Sequence, residues 1–120
     1  MTTLELARDF TSMLKRHDHD GAAAKYNADD IVSYEAMEGP MAVCRGKASV
    51  KAKGDWWQAN HEVHGGTVEG PYVNGDQFVV RFTIDVTAKE SGQRMMMDEV
   101  GIYTVKDGKI VEERFCYLEA

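Results

Sequence analysis

Glu35, Glu99 and Glu113 sit in stretches whose other residues are largely apolar, and with His61, Tyr103 and Tyr117 they are the side chains best suited to moving protons. A carboxyl group among apolar neighbours has its charged form disfavoured, so its pKa rises toward the range where it works as a general acid or base. Carboxyls that share a cavity raise one another further and titrate as a set. A histidine beside them is a natural proton partner. The spacing of these residues matches no metal-ligand motif, so neither a metal nor another cofactor is expected. Cys44 and Cys116 form no CxxC pair and no ligand spacing, and buried free thiols are the expectation for them.

Positioning these groups requires helices followed by a sheet. From Thr3 to about His17, apolar side chains recur in steps of three and four at Leu6, Phe10, Met13, Leu14 and His17, which predicts an amphipathic helix. Thr3 with Leu6 supplies only part of a capping signal. Asp20-Gly21 restarts the chain into a short alanine-rich helix ending near Tyr26-Asn27. A first strand is expected at Ile31 to Glu35, and a short one at Met41 to Cys44 after the Gly39-Pro40 turn. Gly46 opens a third helix to about Glu62, whose apolar face would carry Val50, Gly54, Trp57 and His61.

Beyond His64 the period becomes two. Phe78, Val80, Phe82, Ile84 and Val86 alternate with mostly polar residues, the pattern of a strand with one face on a core. A turn at Ser91-Gly92 leads to a strand from Arg94 to Val105, and Asp107-Gly108 marks a tight hairpin into a last strand from Ile110 to Leu118. On the last strand Val111, Glu113, Phe115 and Tyr117 are expected inward. On the strand before it both faces contain apolar residues, so Glu99 and Asp98 stand as alternatives for the inward acid. One register turns Met95, Met97, Glu99, Gly101 and Tyr103 inward.

Helices first and a meander afterwards argue for an α+β domain rather than a parallel sheet, with residues 1–120 as a single domain. No run approaches the ~20 apolar residues that span a bilayer. The start of the chain lacks the basic and apolar segments of a signal peptide, so a cytoplasmic protein with no membrane partner is expected. The formal net charge of −6 opposes binding to a phosphate backbone. The basic run from Arg45 and Lys47 to Lys51 and Lys53 reads as a solvated helix face beside Asp55, so no nucleic-acid partner is expected.

The sequence resembles the SnoaL-like group of the nuclear transport factor 2-like superfamily. The resemblance rests on His19-Asp20-Gly21, Asn27-Ala28-Asp29-Asp30, Arg45-Gly46 and the hairpin Tyr103-Thr104-Val105-Lys106-Asp107-Gly108-Lys109-Ile110-Val111. It covers roughly Leu4 to Tyr117. It implies a cone-shaped α+β barrel, with the helices packed in a strongly curved antiparallel sheet around a central pocket, and a homodimer through the outer face of the sheet. In that implied pocket, with Glu99 inward, the polar lining would be Glu35, His61, Glu99, Tyr103, Glu113 and Tyr117, and Phe10, Tyr34, Met41, Trp57, Phe82, Met97 and Phe115 would complete a wall for a small hydrophobic molecule. Relatives include polyketide cyclases, ketosteroid isomerases, epoxide hydrolases and proteins without known activity, so the fold alone does not select a reaction. Compared with the steroid isomerases, Glu35 takes the place of the general base. Phe10 and Gly101 take the places of the two oxyanion donors, and each missing donor costs ~2.7–4 kcal/mol of transition-state stabilisation. The epoxide hydrolase triad is also absent, since Phe115 occupies its last aspartate position. Two functions remain: a cofactor-independent isomerase, cyclase or lyase using Glu35 as base with His61 or Glu99 as partner, and a non-catalytic ligand-binding or dimerising module.

Overall fold

In a computed structural model, which describes residues 1–118, the predicted helices and strands follow in the expected order, with one further strand between the third helix and Gln77. Helix α1 spans Thr3–Lys15 and begins at the predicted residue, with its cap one position before the Thr3 of the partial signal. Thr2 is the N-cap, its hydroxyl accepting from the Glu5 amide while Glu5 reaches back to the Thr2 amide. This reciprocal box satisfies two otherwise orphaned donors. Leu6, Phe10 and Leu14 form the buried stripe, with Ala7 and Thr11 beside them. The helix stops short of His17, which is exposed and takes a left-handed backbone (φ 63°), rather than joining the apolar face as predicted. Asp18 then caps α2, His19–Tyr26, by accepting from the Gly21 amide at 3.1 Å.

Strand β1 (Asn27–Tyr34) pairs with the short β2 (Val43–Arg45), and helix α3 (Lys47–Asn60) follows. Strands β3 (His61–Asn74), β4 (Gln77–Ala88), β5 (Arg94–Lys106) and β6 (Lys109–Tyr117) complete one six-stranded sheet in the order β2-β1-β6-β5-β4-β3. The sheet is curved, open and mixed, not wholly antiparallel as expected, because β1 pairs parallel to β6. A parallel pair needs a long crossover, and here the whole excursion from β2 through β5 provides it.

Strand β3 is an element the sequence concealed. Its positions are mostly exposed, so neither face leaves an apolar alternation. It is an edge strand with irregularities between Val63 and Gly65 and between Glu69 and Tyr72, a setting that tolerates proline. A Cβ on Gly66 would lie 2.2 Å from the Thr83 carbonyl oxygen, so the close approach of β4 requires glycine there. Because β3 begins at His61, α3 ends at Asn60, two residues before the predicted end.

On β4 the predicted inner face holds: Phe78, Val80, Phe82 and Val86 are buried and Ile84 is half-buried. They pair respectively with Tyr103, Gly101, Glu99, Met95 and Met97 of β5, which settles that strand's register. Glu99 is therefore the inward acid. Asp98 faces out and forms a two-pronged bond with Arg81, at 3.0 and 2.7 Å. The β5–β6 hairpin turns on Asp107 and Gly108 (φ 53° and 73°), the positive angles that Asp-Gly favours. An irregularity follows, in which Val105 pairs with Ile110 but Thr104 with Glu112. It puts Ile110 in the core and leaves Val111 half-exposed, a correction to the predicted face; from Glu113 onward that face is restored.

The helices cover the inner face. Phe10 meets Phe78 and Tyr103 edge-on, at ring distances of 5.8 and 5.0 Å, while Tyr103 stacks on Phe78. Cys44 is buried and Cys116 exposed, both free. No helix among the described residues is long and apolar enough to cross a membrane.

Candidate functional site

Alternation along β1 and β6 brings the polar groups together. Ser33 lies on β1 and Glu35 one residue past its end at Tyr34, rather than inside the strand as expected, with its amide donating to the Ala42 carbonyl at 2.8 Å; Glu113, Phe115 and Tyr117 share one face of β6. From α3, Lys53 reaches across to meet them. Its ammonium lies 3.0 Å from a Glu35 carboxylate oxygen, with the two side chains only 10% and 12% exposed. Lys53 also donates to the Ser33 hydroxyl, which donates to Glu113 Oε2 at 2.7 Å. The other oxygen of Glu35 accepts from the Tyr117 hydroxyl. Glu113, Ser33, Lys53, Glu35 and Tyr117 therefore form one continuous hydrogen-bonded chain. Phe115 lies beneath it, its ring centre 5.2 Å from the Lys53 nitrogen, within cation–π range.

Glu99 stands opposite Tyr117 in the β5–β6 pairing. Burial pushes its carboxyl up to about 7, the charge of Glu35 adds to the rise, and Lys53 partly opposes it. Burial likewise raises Glu113, against the lowering effects of the Ser33 bond and Lys53. Tyr117 is raised by burial and by its bond to Glu35, so its hydroxyl stays a donor. The site thus combines a carboxylate held by a cation and a phenol with a second carboxyl that exchanges protons near neutrality. A surface depression of about 290 Å³ adjoins Glu99 and Tyr117 and continues over Arg81, Asp98 and Cys116 of the outer face.

Of the residues predicted from sequence, Glu35, Glu99, Glu113, Phe115 and Tyr117 converge here. Met97 is half-buried on the inner face opposite Ile84, and Met41 packs against the core. Phe10, Phe82 and Tyr103 are core residues, and the Tyr103 hydroxyl folds back over Gly101, where a Cβ would lie 2.7 Å away. His61 is occupied elsewhere: its ring stacks on Trp57 at 4.4 Å, and its Nδ1 lies 2.8 Å from the Trp57 carbonyl oxygen. Tyr34 lies next in the chain after inward-facing Ser33, and its ring is covered by the Arg114 guanidinium at 4.0 Å.

Two members of the site escaped the sequence reading. The mixed charge run predicts a solvated position for Lys53, yet it is 8% exposed, whereas Lys51, paired with Asp55 at 2.9 Å, is exposed as expected. The available signal was position: Lys53 follows Val50 by three residues and precedes Trp57 by four, which puts it on the apolar stripe. Ser33 shares the face of Glu35 in the predicted first strand and was legible from the period of two.

A family model described as SnoaL-like domain matches residues 1–117. The chain belongs to the SnoaL-like family. Among solved structures it is similar to a Mesorhizobium loti protein, 68% identical over 98% of this chain and 100% of that one, with a TM-score of 0.96. That protein is described as a proposed SnoaL-like polyketide cyclase, with carbohydrate phosphatase in brackets. A Xanthomonas campestris protein of unknown function with a cystatin-like fold is 18% identical, covering 99% of this chain and 92% of that one, with a TM-score of 0.78. A proposed SnoaL-like polyketide cyclase from Jannaschia sp. CCS1 is 18% identical over 93% of this SnoaL-like chain and 87% of its own, at a TM-score of 0.72. The latter two likenesses concern the fold. A comparison with curated proteins gave no match.

Proposed function

We propose that this SnoaL-like protein is a cofactor-independent enzyme of proton transfer, of the isomerase, cyclase or lyase class, acting on a small hydrophobic carbonyl compound. Glu35 is the general base and Glu99 its proton partner. The observation that supports this most is the contrast between the two carboxyls: Glu35 is held by Lys53 and the Tyr117 hydroxyl, while Glu99 is pushed up to about 7. A buried carboxyl raised to that range is suited to exchanging protons near neutral pH, and a carboxylate held beside it is placed to take one. The cyclase name of the Mesorhizobium loti relative agrees with such chemistry.

The test is exchange of the α-protons of 2-tetralone in D2O, followed by proton NMR. Wild-type protein should accelerate exchange over buffer, and Glu35→Gln should reduce the acceleration by about 10²–10⁴-fold, the usual contribution of a positioned base. Retention of wild-type exchange by Glu35→Gln would show that Glu35 is not the base. A second, non-catalytic reading is favoured by Phe10 and Gly101, which offer no donor to an oxyanion. It predicts that 2-tetralone binds with no exchange above the buffer rate.

A further inference from the structure

We infer that Lys53 is the group that holds the substrate oxyanion, so that the site is built for planar, delocalised oxyanions such as enolates. The inference rests on Glu35 acting as the base. An ammonium has three N–H donors. Two of those of Lys53 go to Ser33 and Glu35, and among the described residues no acceptor takes the third. The nitrogen stands over the Phe115 ring, with partly exposed Glu35, Tyr117, Glu99 and Phe115 around it. A planar ligand lying along that ring would bring an oxygen within reach of the free N–H.

The charges change in the appropriate direction during reaction. Before proton transfer Lys53 and Glu35 neutralise each other. When Glu35 takes a proton from carbon, the C–H bonding pair moves into the enolate and negative charge appears on the substrate oxygen. Glu35 is then neutral, and the Lys53 charge is left for the oxyanion. The attraction is stronger in the transition state than in the ground state, as catalysis requires. It also fills the role for which Phe10 and Gly101 carry no donor. The other groups facing this space are Glu99 on β5 and Glu113, Tyr117 and Ser33 on β6 and β1. Both acids keep their protons to higher pH than an ordinary glutamate, which limits repulsion of an anion. A lysine that merely balanced Glu35 would need neither a free donor nor an aromatic floor.

The probe is 2-naphthoate, a planar delocalised oxyanion, compared with neutral 2-naphthamide in fluorescence titrations at pH 6. Wild type should prefer the anion. Lys53→Met should lose about tenfold or more of that preference, the scale of one charge-assisted hydrogen bond, and Lys53→Arg should keep most of it. Glu35→Gln should bind 2-naphthoate several-fold more tightly, because the carboxylate competing for Lys53 is gone. Should Lys53→Met fail to fold with Glu35 unpaired, Glu35→Gln/Lys53→Met against Glu35→Gln gives the same comparison. An unchanged anion preference without Lys53 overturns the inference, whatever Glu35 does in the exchange assay. Loss of that preference while Glu35→Gln still exchanges 2-tetralone would remove Glu35 as base and leave Lys53 as an anion-holding group.

Discussion

Glu99 gives the sharpest stability test, because it is an acid folded into surroundings that favour its neutral form. Burial and the charge of Glu35 move its carboxyl from the ordinary 4.5 to about 7. At about 1.4 kcal/mol per tenfold change in proton affinity, ionising Glu99 in the folded protein costs about 3 kcal/mol. The sign follows from linkage. Between 4.5 and 7 the folded chain binds the proton more tightly than the unfolded chain, so this group destabilises the protein as pH rises, with the full cost present above about 7. Glutamine has the shape of the protonated acid and no charge to bury. Glu99→Gln should therefore be about as stable as wild type at pH 4 and more stable by about 3 kcal/mol at pH 8.5. Urea unfolding of both proteins at both pH values measures the difference, and effects common to both, such as that of Glu113, cancel. An equal difference at the two pH values, or a Glu99 carboxyl that titrates near 4.5 by NMR, would refute the reasoning.

Two further substitutions test the architecture of the site. Ser33→Ala removes the hydroxyl that links Lys53 to Glu113, leaving a buried carboxyl without its donor; a loss of about 1–3 kcal/mol in urea unfolding is expected, and wild-type stability would mean that the link contributes nothing. Gly101→Ala places a methyl carbon within 2.7–2.9 Å of the Tyr103 ring and hydroxyl. Because Tyr103 is wedged between Phe10 and Phe78, the clash should cost about 1–3 kcal/mol, and an unchanged melting temperature would show that the ring moves freely.

The pairing of Lys53 with Glu35 has a consequence for how such sites are recognised. A cation among several acids looks from a distance like charge balance, and buried pairs are often no more stabilising than apolar substitutes. Here the cation also bridges a serine to Glu35 and, among the described residues, keeps a donor free. Those properties are geometric. They would separate the proposed oxyanion-holding role from simple charge balance, which is what the naphthoate comparison measures.

Local pattern carried most of the fold. The stripe of Leu6, Phe10 and Leu14, the alternation from Phe78 to Val86 and the Asp107-Gly108 turn are each short-range signals, and each corresponds to an element. The common face of Glu113, Phe115 and Tyr117 was legible for the same reason, since a period of two assigns faces within a strand, whereas Glu35 is singled out by the family resemblance. What the pattern could not carry was pairing between distant segments. Whether Asp98 or Glu99 turns inward depends on register against β4, and the parallel union of β1 with β6 joins segments roughly 80 residues apart, as in the Ser33–Glu113 bond. Strand β3 is held by its hydrogen-bonded partner rather than by a buried face, so its own sequence barely announces it. Lys53 is the clearest case. Its type says solvent while its helical position says apolar stripe, and only the tertiary structure brings Ser33 and Glu35 close enough to satisfy its charge in the interior.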